Sequence, residues 1–151
     1  MSSKSTRNSQ QYCTFYLGDL LLGISVEDVQ EVIKTQDMTP VPLAPGVVTG
    51  LVNLRGQIVT ALDMRKRFQL NGGFPKPPMN IVISQEDGAV SLLVDEIGDV
   101  VSIDPESFEA PPETLEGACR ELVTGVFKLE HSLLLVLDLA AATAVEEVAA
   151  A

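Results

Sequence analysis

The sequence contains few of the residue types on which many enzymes and nucleic-acid-binding proteins depend. It has no Trp, one His, two Cys and only 5% aromatic residues among 151. Lys and Arg total 10 against 21 Asp and Glu, which gives a formal net charge of -11. Such a charge repels phosphate backbones and anionic lipid surfaces. We therefore expect neither nucleic acid nor a membrane surface as a partner.

Long hydrophobic runs and export signals are also lacking. No apolar stretch approaches the ~20 residues that span a bilayer, so no direct membrane insertion is expected. Residues 1–11 carry two cations without an apolar segment, and they are predicted to form a disordered polar tail. Cys13 and Cys119 are too few for a disulfide framework. These features predict a soluble cytoplasmic protein, and 46% apolar content is sufficient for one folded core.

An internal repeat is the most informative feature that the sequence does contain. The tetrapeptide VTGL at 48–51 returns as VTGV at 123–126, a shift of 75 residues that also aligns Asp63 with Asp138. Repeats of this length are supersecondary units that bury their apolar faces against one another. The sequence therefore predicts two similar halves packed together.

A looser match extends the repeat toward the start of each half. With a shift of 68 residues, segment 20–26 aligns with 88–94, and Val29 and Val32 fall opposite Ile97 and Val100. The stretch around Val29 fits either a helix or an irregular strand, and the β-branched residues of its partner segment favour a strand.

Short strands separated by Gly and Pro predict an all-β fold of two small antiparallel barrels. The predicted boundaries, in chain order, are a first β-barrel lobe at 12–71, a Gly/Pro linker at 72–78, a second lobe at 79–139 and a C-terminal tail or helix at 140–151. Arg55 and Gly56 are predicted at the tip of a hairpin, and Pro45 at the start of a helical turn that ends at Gly50. Asp63 and Asp138 are placed as helix N-caps.

Catalytic chemistry finds little support. His131 has no nucleophile or metal ligand nearby in sequence, and no phosphate-binding glycine motif is present, so neither metal nor cofactor is predicted. A pair of carboxylates drawn from Asp19, Asp63, Asp95 and Asp138 is the remaining route to a hydrolase. Turns and helix caps explain three of them, and Asp95 is predicted on a solvated face.

A binding function is the better interpretation. Arg55 at a hairpin tip is suited to bidentate contact with a carboxylate, and Arg is common in interface hot spots. Val29, Val32, Val100 and Val101 are placed by the repeat where two lobes can share an apolar groove. The plainer interpretations, an ordinary exposed Arg and four core valines, remain open at this point.

Several segments resemble the CheW family of bacterial chemotaxis coupling proteins, and the similarity runs from about Phe15 to Leu139. The most specific segments are YLGD at 16–19, VQEV at 29–32, GLVNLRGQIV at 50–59, LDMR at 62–65 and VDEIGDVV at 94–101. The resemblance implies a single CheW-like domain, 12–139, made of two SH3-like five-stranded β-barrels packed side by side.

The resemblance also implies a non-catalytic adaptor in cytoplasmic arrays at the membrane. Its implied partners are the regulatory domain of the histidine kinase CheA and the hairpin tip of methyl-accepting chemoreceptors. The family places the receptor tip between the barrels; the matching positions are Val29, Glu31, Val32, Val100 and Val101, with Gly50, Asn53 and Arg55 at the junction. An adaptor of another chemosensory pathway, for twitching motility or gene regulation, and, far behind, a carboxylate-dependent hydrolase are the alternatives.

Overall fold

A computed structural model describes residues 10–34, 36–86 and 88–144, and within them ten strands form two five-stranded sheets. The strands are β1 (Gln10–Leu17), β2 (Leu20–Ser25), β3 (Val29–Ile33), β4 (Val48–Leu54), β5 (Gln57–Asp63), β6 (Met79–Gln85), β7 (Gly88–Val94), β8 (Glu96–Ile103), β9 (Val123–Lys128) and β10 (Leu133–Leu137). Three short helices are α1 (Met64–Arg67), α2 (Gly117–Glu121) and α3 (Leu139–Thr143). Single 3-10 turns precede β3, at Val26–Asp28, and follow β8, at Pro105–Ser107. The all-β prediction is confirmed.

The two sheets exchange strands between the halves of the chain. Sheet A has the order β8-β1-β2-β10-β9, and sheet B has the order β3-β6-β7-β5-β4. Each half therefore gives its first hairpin to one sheet and its last three strands to the other. The predicted lobes at 12–71 and 79–139 do not coincide with these sheets, because strand pairing crosses the middle of the chain.

The repeat is reproduced in the register of the antiparallel pairs. Val29 of β3 lies opposite Ile83 of β6, while Ile97 of β8 lies opposite Phe15 of β1. Each residue of the first pair stands 68 residues from its counterpart in the second. Both pairs border a β-bulge at the same place. The shift of 68 residues is thus confirmed as a structural equivalence, and β3 is a strand as the sequence favoured.

The parallel pairs repeat in the same way. Leu22 of β2 lies beside Leu135 of β10, and Val90 of β7 lies beside Thr60 of β5. Val90 follows Leu22 by 68 residues, and Leu135 follows Thr60 by 75. Both repeat shifts meet in these pairs, so the two sheets are built on one pattern of hydrogen bonds.

Each sheet closes through the segment that follows its edge strand. Thr39, beyond β3, exchanges backbone hydrogen bonds of 2.9 and 2.8 Å with Leu51 of β4. Glu109, beyond β8, makes the same pair of bonds, 2.9 and 2.8 Å, with Val126 of β9. Because Val126 is the repeat counterpart of Leu51, the two closures are equivalent.

A glycine accompanies each closure. A Cβ on Gly50 would stand 2.7 Å from the carbonyl oxygen of Thr39, and one on Gly125 would stand 2.6 Å from that of Glu109. Real Cβ atoms do not approach carbonyl oxygens so closely, so only glycine permits the crossing segment at these positions. Gly50 lies inside β4, so the helical turn predicted from Pro45 to Gly50 is wrong: the β4 ladder begins at Val48.

The largest apolar cluster lies between the sheets. It takes alternate residues of β1 and β2, among them Phe15 and Leu22, together with Ile81, Ile83 and Leu92 from β6 and β7. Two smaller clusters, one in each sheet, receive side chains from the opposite faces of the same strands. Strands buried on both faces carry near-continuous apolar runs, and both faces of the central hairpins are core here.

Two details of β1 differ from prediction. Thr14, expected to face outward, is buried, and its hydroxyl donates a 2.6 Å hydrogen bond to the carbonyl oxygen of Asp99. Gln10 and Gln11, assigned to the polar tail, begin β1 and pair with Ile103 and Ser102. The rest of that predicted tail, residues 1–9, lies outside the described residues.

The predicted helix caps are confirmed. The Asp63 side chain accepts a 3.0 Å hydrogen bond from the N–H of Lys66 at the start of α1. Asp138 accepts an equal bond from Ala141 at the start of α3. Residues 139–143 of the predicted C-terminal tail are therefore helical, and residues 145–151 lie outside the described part of the chain.

Candidate functional site

The hairpin between β4 and β5 has a tight two-residue tip. Arg55 and Gly56 both adopt positive φ angles, 52° and 90°. This is the geometry of the turns that join right-twisted antiparallel strands, and glycine accepts it without strain. The Asn53 side chain stabilises the tip by accepting a 2.9 Å hydrogen bond from the N–H of Gly56. The predicted hairpin is confirmed, and Asn53 has an evident part in holding it.

Arg55 forms an ion pair with Glu31 of β3. The Arg55 guanidinium donates from Nη2 to Oε2 of Glu31, while the Arg55 side chain stays 73% exposed and that of Glu31 only 20%. The pair joins the hairpin tip to the opposite edge strand of sheet B. The structure thus brings together two residues that stand 24 positions apart and that the sequence singled out separately. Most of the guanidinium remains open to a further carboxylate or carbonyl group.

Apolar and small residues surround this ion pair. Val32 lies on β3 beside Glu31 and is 38% exposed, whereas Val29 packs partly against the central cluster. Gly50 is buried beneath Thr39, so its part is the close approach of the backbone described above. Of these predicted site residues, Val32 offers the exposed apolar surface.

Val100 and Val101 lie on β8, the edge strand of sheet A. Val100 is 55% exposed, and Val101 packs partly against the cluster within sheet A. Val100 is the counterpart of Val32, and the two pair with equivalent residues, Cys13 and Ile81. The eight predicted site residues are therefore distributed over both sheets, six on sheet B and two on sheet A. Because the central cluster fills the space between the sheets, any groove between them lies at its rim.

Exposed apolar residues near both hairpin tips were missed as site candidates. Ile58, which starts the return strand of the β4–β5 hairpin, is 59% exposed, and its counterpart Leu133 on β10 is 39% exposed. Leu43, in the connector that precedes β4, is 89% exposed. The repeat aligned Ile58 with Leu133, but their exposure depends on which face of each strand is covered, and a sequence does not state that for a strand buried on both faces.

The second hairpin tip carries a different charge. Glu130 and His131 are both almost fully exposed, and Lys128 pairs with Glu109 at 3.6 Å. The turn at 130–132 occupies the place of Arg55 and Gly56. One tip is therefore cationic over an acidic strand, whereas the other projects a carboxylate.

Arg65 and Asp95 form a second ion pair, which the sequence did not reveal. Nε and Nη2 of Arg65 each donate a 2.7 Å hydrogen bond to the two carboxylate oxygens of Asp95, and the N–H of Gly18 donates another of 2.7 Å. The side chains are 13% and 8% exposed, so the prediction of a solvated Asp95 is wrong. Burial raises the pKa of Asp95, but the hydrogen bonds from Arg65 and Gly18 and the nearby positive charge outweigh it and lower the pKa overall.

The carboxylates considered for catalysis have separate structural partners. Asp63 and Asp138 accept hydrogen bonds at the starts of two different helices, and Asp95 binds Arg65. No helix in the described part of the chain combines the length and apolar character needed to cross a membrane. Fold and site together define a class: paired five-stranded barrels whose distinctive side chains lie at exposed hairpin tips and edge strands.

Comparison with known proteins narrows that class. The family model of the CheW-like domain matches residues 11–147. The chain is 34% identical to the chemotaxis protein CheW of Treponema pallidum over 140 residues, which covers 85% of this chain and 79% of that protein. The corresponding protein of Klebsiella aerogenes is 30% identical over 141 residues, with 93% and 85% covered.

A solved structure agrees with the sequence relatives. The scaffolding protein TtCheW from Thermoanaerobacter tengcongensis superposes with a TM-score of 0.77 at 30% identity, covering 85% of this chain and 88% of that one. The chain belongs to the CheW family of chemotaxis coupling proteins.

Proposed function

We propose that this protein is a non-catalytic adaptor that couples methyl-accepting chemoreceptors to the histidine kinase CheA in cytoplasmic arrays. Family membership supports the chemotaxis role. The observation that carries the coupling role is the Arg55–Glu31 ion pair, which holds a largely exposed guanidinium at the tip of a rigid hairpin. Arginine in a fixed orientation is a frequent centre of protein interfaces because it binds carboxylates bidentately and loses little freedom.

The exposed valines supply the apolar part of the proposed interface. Val32 and Val100 stand at equivalent positions on the edge strands of the two sheets, with 38% and 55% of their surface open. An amphipathic helical hairpin buries β-branched contacts of this kind, while a charge at the rim sets its register. Glu31, Val29 and Val101 support these contacts from partly buried positions.

Calorimetric titration with the CheA regulatory domain and, separately, with a receptor hairpin-tip fragment tests the proposal. Saturable binding to both is expected, and each affinity need only be modest because arrays gain strength from many linked contacts. Absence of binding to both at hundreds of micromolar, where interactions of ~5 kcal/mol are still measurable, would overturn it.

Arg55→Glu tests the central residue. The variant is expected to keep its fold, since Arg55 is exposed, and to lose receptor control of kinase activity in a reconstituted assay. Lys76→Glu makes the same change of charge at an exposed position in the linker and is expected to retain coupling. A folded Arg55→Glu protein with full coupling would remove Arg55 from the interface.

The double variant Arg55→Glu with Glu31→Arg separates two roles of the ion pair. It restores the internal attraction but reverses the charge offered to a partner. Continued loss of coupling is expected if Arg55 contacts a partner, whereas recovery would show that Arg55 only orients the hairpin.

Val100→Asp tests the apolar contact on sheet A. Because Val100 is 55% exposed, the melting temperature is expected to change little while receptor coupling is weakened. Ser102→Asp, an exposed position on the same strand, is the matched control. Equal coupling by both variants would contradict the assignment of Val100.

A further inference from the structure

The two ends of the central cluster, related by the repeat, are finished differently. At one end the Arg65 guanidinium lies over the β1–β2 turn, where a Cβ on Gly18 would stand 3.8 Å from Nη2. The guanidinium binds both oxygens of Asp95, donates a 3.4 Å bond to the carbonyl oxygen of Asn71 and lies 5.9 Å from the centre of the Phe74 ring. This end is filled and neutralised by the chain's own cation.

The repeat supplies no cation at the other end. The shifts of 75 and 68 residues place Ala140 at the position of Arg65, Glu27 at that of Asp95 and Glu86 at that of Gly18. The arginine is lost, its acidic partner is kept, and a further carboxylate replaces the glycine over which the guanidinium lies.

An open cavity of about 440 Å³ occupies this second end. Its described lining consists of Asp28, Ser84, Gln85, Glu86 and Leu139, which come from the 3-10 turn before β3, the end of β6 and its turn, and the start of α3. These are the same elements that enclose Arg65 in the other half. Leu139 is the counterpart of Met64, the residue next to Arg65 in α1.

We propose that this cavity is a binding site for a guanidinium group, supplied by an arginine side chain of a partner protein. Two carboxylates and two uncharged polar side chains line it, and none of its described lining residues is basic. A guanidinium satisfies several oxygen acceptors at once in a planar arrangement, which is how Arg65 fills the equivalent place. The partner arginine takes the position that Arg65 takes within the chain.

This site is separate from the Arg55 hairpin and does not depend on which receptor or kinase the protein binds. Its binding residues belong to the Val26–Asp28 turn, the β6–β7 turn and α3, whereas the proposed coupling residues lie on β3, β4, β8 and the β4–β5 tip. Failure at one site therefore leaves the other proposal intact.

Titration followed by backbone amide NMR shifts tests the site with defined probes. N-acetyl-arginine amide is the probe for a protein side chain, N-acetyl-citrulline amide is its uncharged control of the same shape, and methylguanidinium represents a free small cation. At matched ionic strength, the arginine amide is expected to give saturable shifts centred on Asp28, 84–86 and Leu139. Citrulline amide is expected to give none.

The comparison of the two cations identifies the source of the ligand. Tighter binding of the arginine amide than of methylguanidinium is expected, because Leu139 also contacts the aliphatic part of a side chain. Tighter binding of methylguanidinium would overturn the assignment to a partner side chain. Equal shifts from citrulline amide, or shifts spread evenly over the acidic surface, would overturn the site itself.

Two sets of variants connect the shifts to the cavity. Asp28→Asn and Glu86→Gln, both exposed, are each expected to weaken arginine amide binding by about two- to fivefold, the range for single partly solvated ion pairs. Ala140→Arg restores the residue type found in the other half, and it is expected to abolish probe binding by filling the cavity from within. Ala140→Gln is its uncharged control and is expected to keep binding. Unchanged binding in Ala140→Arg would overturn the proposal.

Discussion

The two halves of this chain share their backbone hydrogen bonds but not their charges. Both closures, at Thr39–Leu51 and Glu109–Val126, use the same donors and acceptors. At the hairpin tips, however, Arg55 stands where the other half has the acidic Glu130. The comparison teaches that the duplicated sheet constrains residues that close barrels and fill cores, while exposed ends of the same elements are free to diverge. Functional differences between the halves are therefore expected at the tips and ends.

The largest expected effect concerns the ion pair present in only one half. Arg65→Ala leaves the buried Asp95 carboxylate without its counter-ion. We expect a loss of roughly 2–4 kcal/mol in the free energy of unfolding, below the full cost for a deeply buried pair because both side chains retain some solvent contact. Chemical denaturation measures it. Ala140→Ser, at the counterpart position, is the control and is expected to change stability little; an equal loss in both variants would contradict the difference between the halves.

The pH dependence of stability distinguishes this ion pair from packing. The pKa of Asp95 is lowered in the folded protein, so the pair contributes fully above the unfolded value of ~3.9 and is lost as the pH falls through the lower folded value. The stability difference between the wild type and Arg65→Ala is therefore expected to be constant near neutrality and to shrink below about pH 4. A difference independent of pH down to acid unfolding would assign the effect to lost packing against Phe74.

The glycines of the two closures are expected to have the next largest effect. Gly50→Ala and Gly125→Ala each introduce a Cβ against a backbone carbonyl, at 2.7 and 2.6 Å. Overpacking of this kind costs about 1–3 kcal/mol, and we expect similar losses in the two variants because the crossings are equivalent. Thermal or chemical unfolding measures both. Gly46→Ala has open space around its Cβ and is the control. A large loss in only one half would show that the closures are not equivalent.

Periodicity and the repeat predicted most of this fold. Alternating apolar residues indicated the strands, VTGL and VTGV indicated the duplicated β4 and β9, and Asp63 and Asp138 were identified as caps by position alone. Each of these depends on local sequence, which is why a single chain suffices to find it. The exchange of hairpins between sheets was not predicted, because identical repeats pair equally well within a half or across halves, and only the loops between them decide.

The candidate site was predicted in its parts but not in its pairing. Arg55 and Glu31 were both chosen, yet nothing in their spacing showed that they contact each other. Asp95 was placed on a solvated face because its partner, Arg65, lies 30 positions earlier and on a different element. Long-range ion pairs leave no periodic signal in a sequence. The repeat held one unused clue: Arg65 aligns with Ala140 while the surrounding pattern is kept.

The helix caps give the smallest expected effect and the closest comparison of the halves. Asp63→Ala and Asp138→Ala each remove one 3.0 Å cap hydrogen bond, and we expect a loss of about 1 kcal/mol from each in chemical denaturation. Asp→Asn at either position retains a capping oxygen and is expected to preserve most of the stability.

The caps also test how far the equivalence extends into the helices. Arg67 of α1 donates hydrogen bonds of 2.6 and 3.2 Å to the carbonyl oxygens of Ala141 and Ala142 in α3, so α3 is held from both ends. We therefore expect Asp138→Ala to cost slightly less than Asp63→Ala, and the gap to close when Arg67→Met removes the second support. If the gap persists in the Arg67→Met background, the difference arises within the helices and not from the contact between the halves.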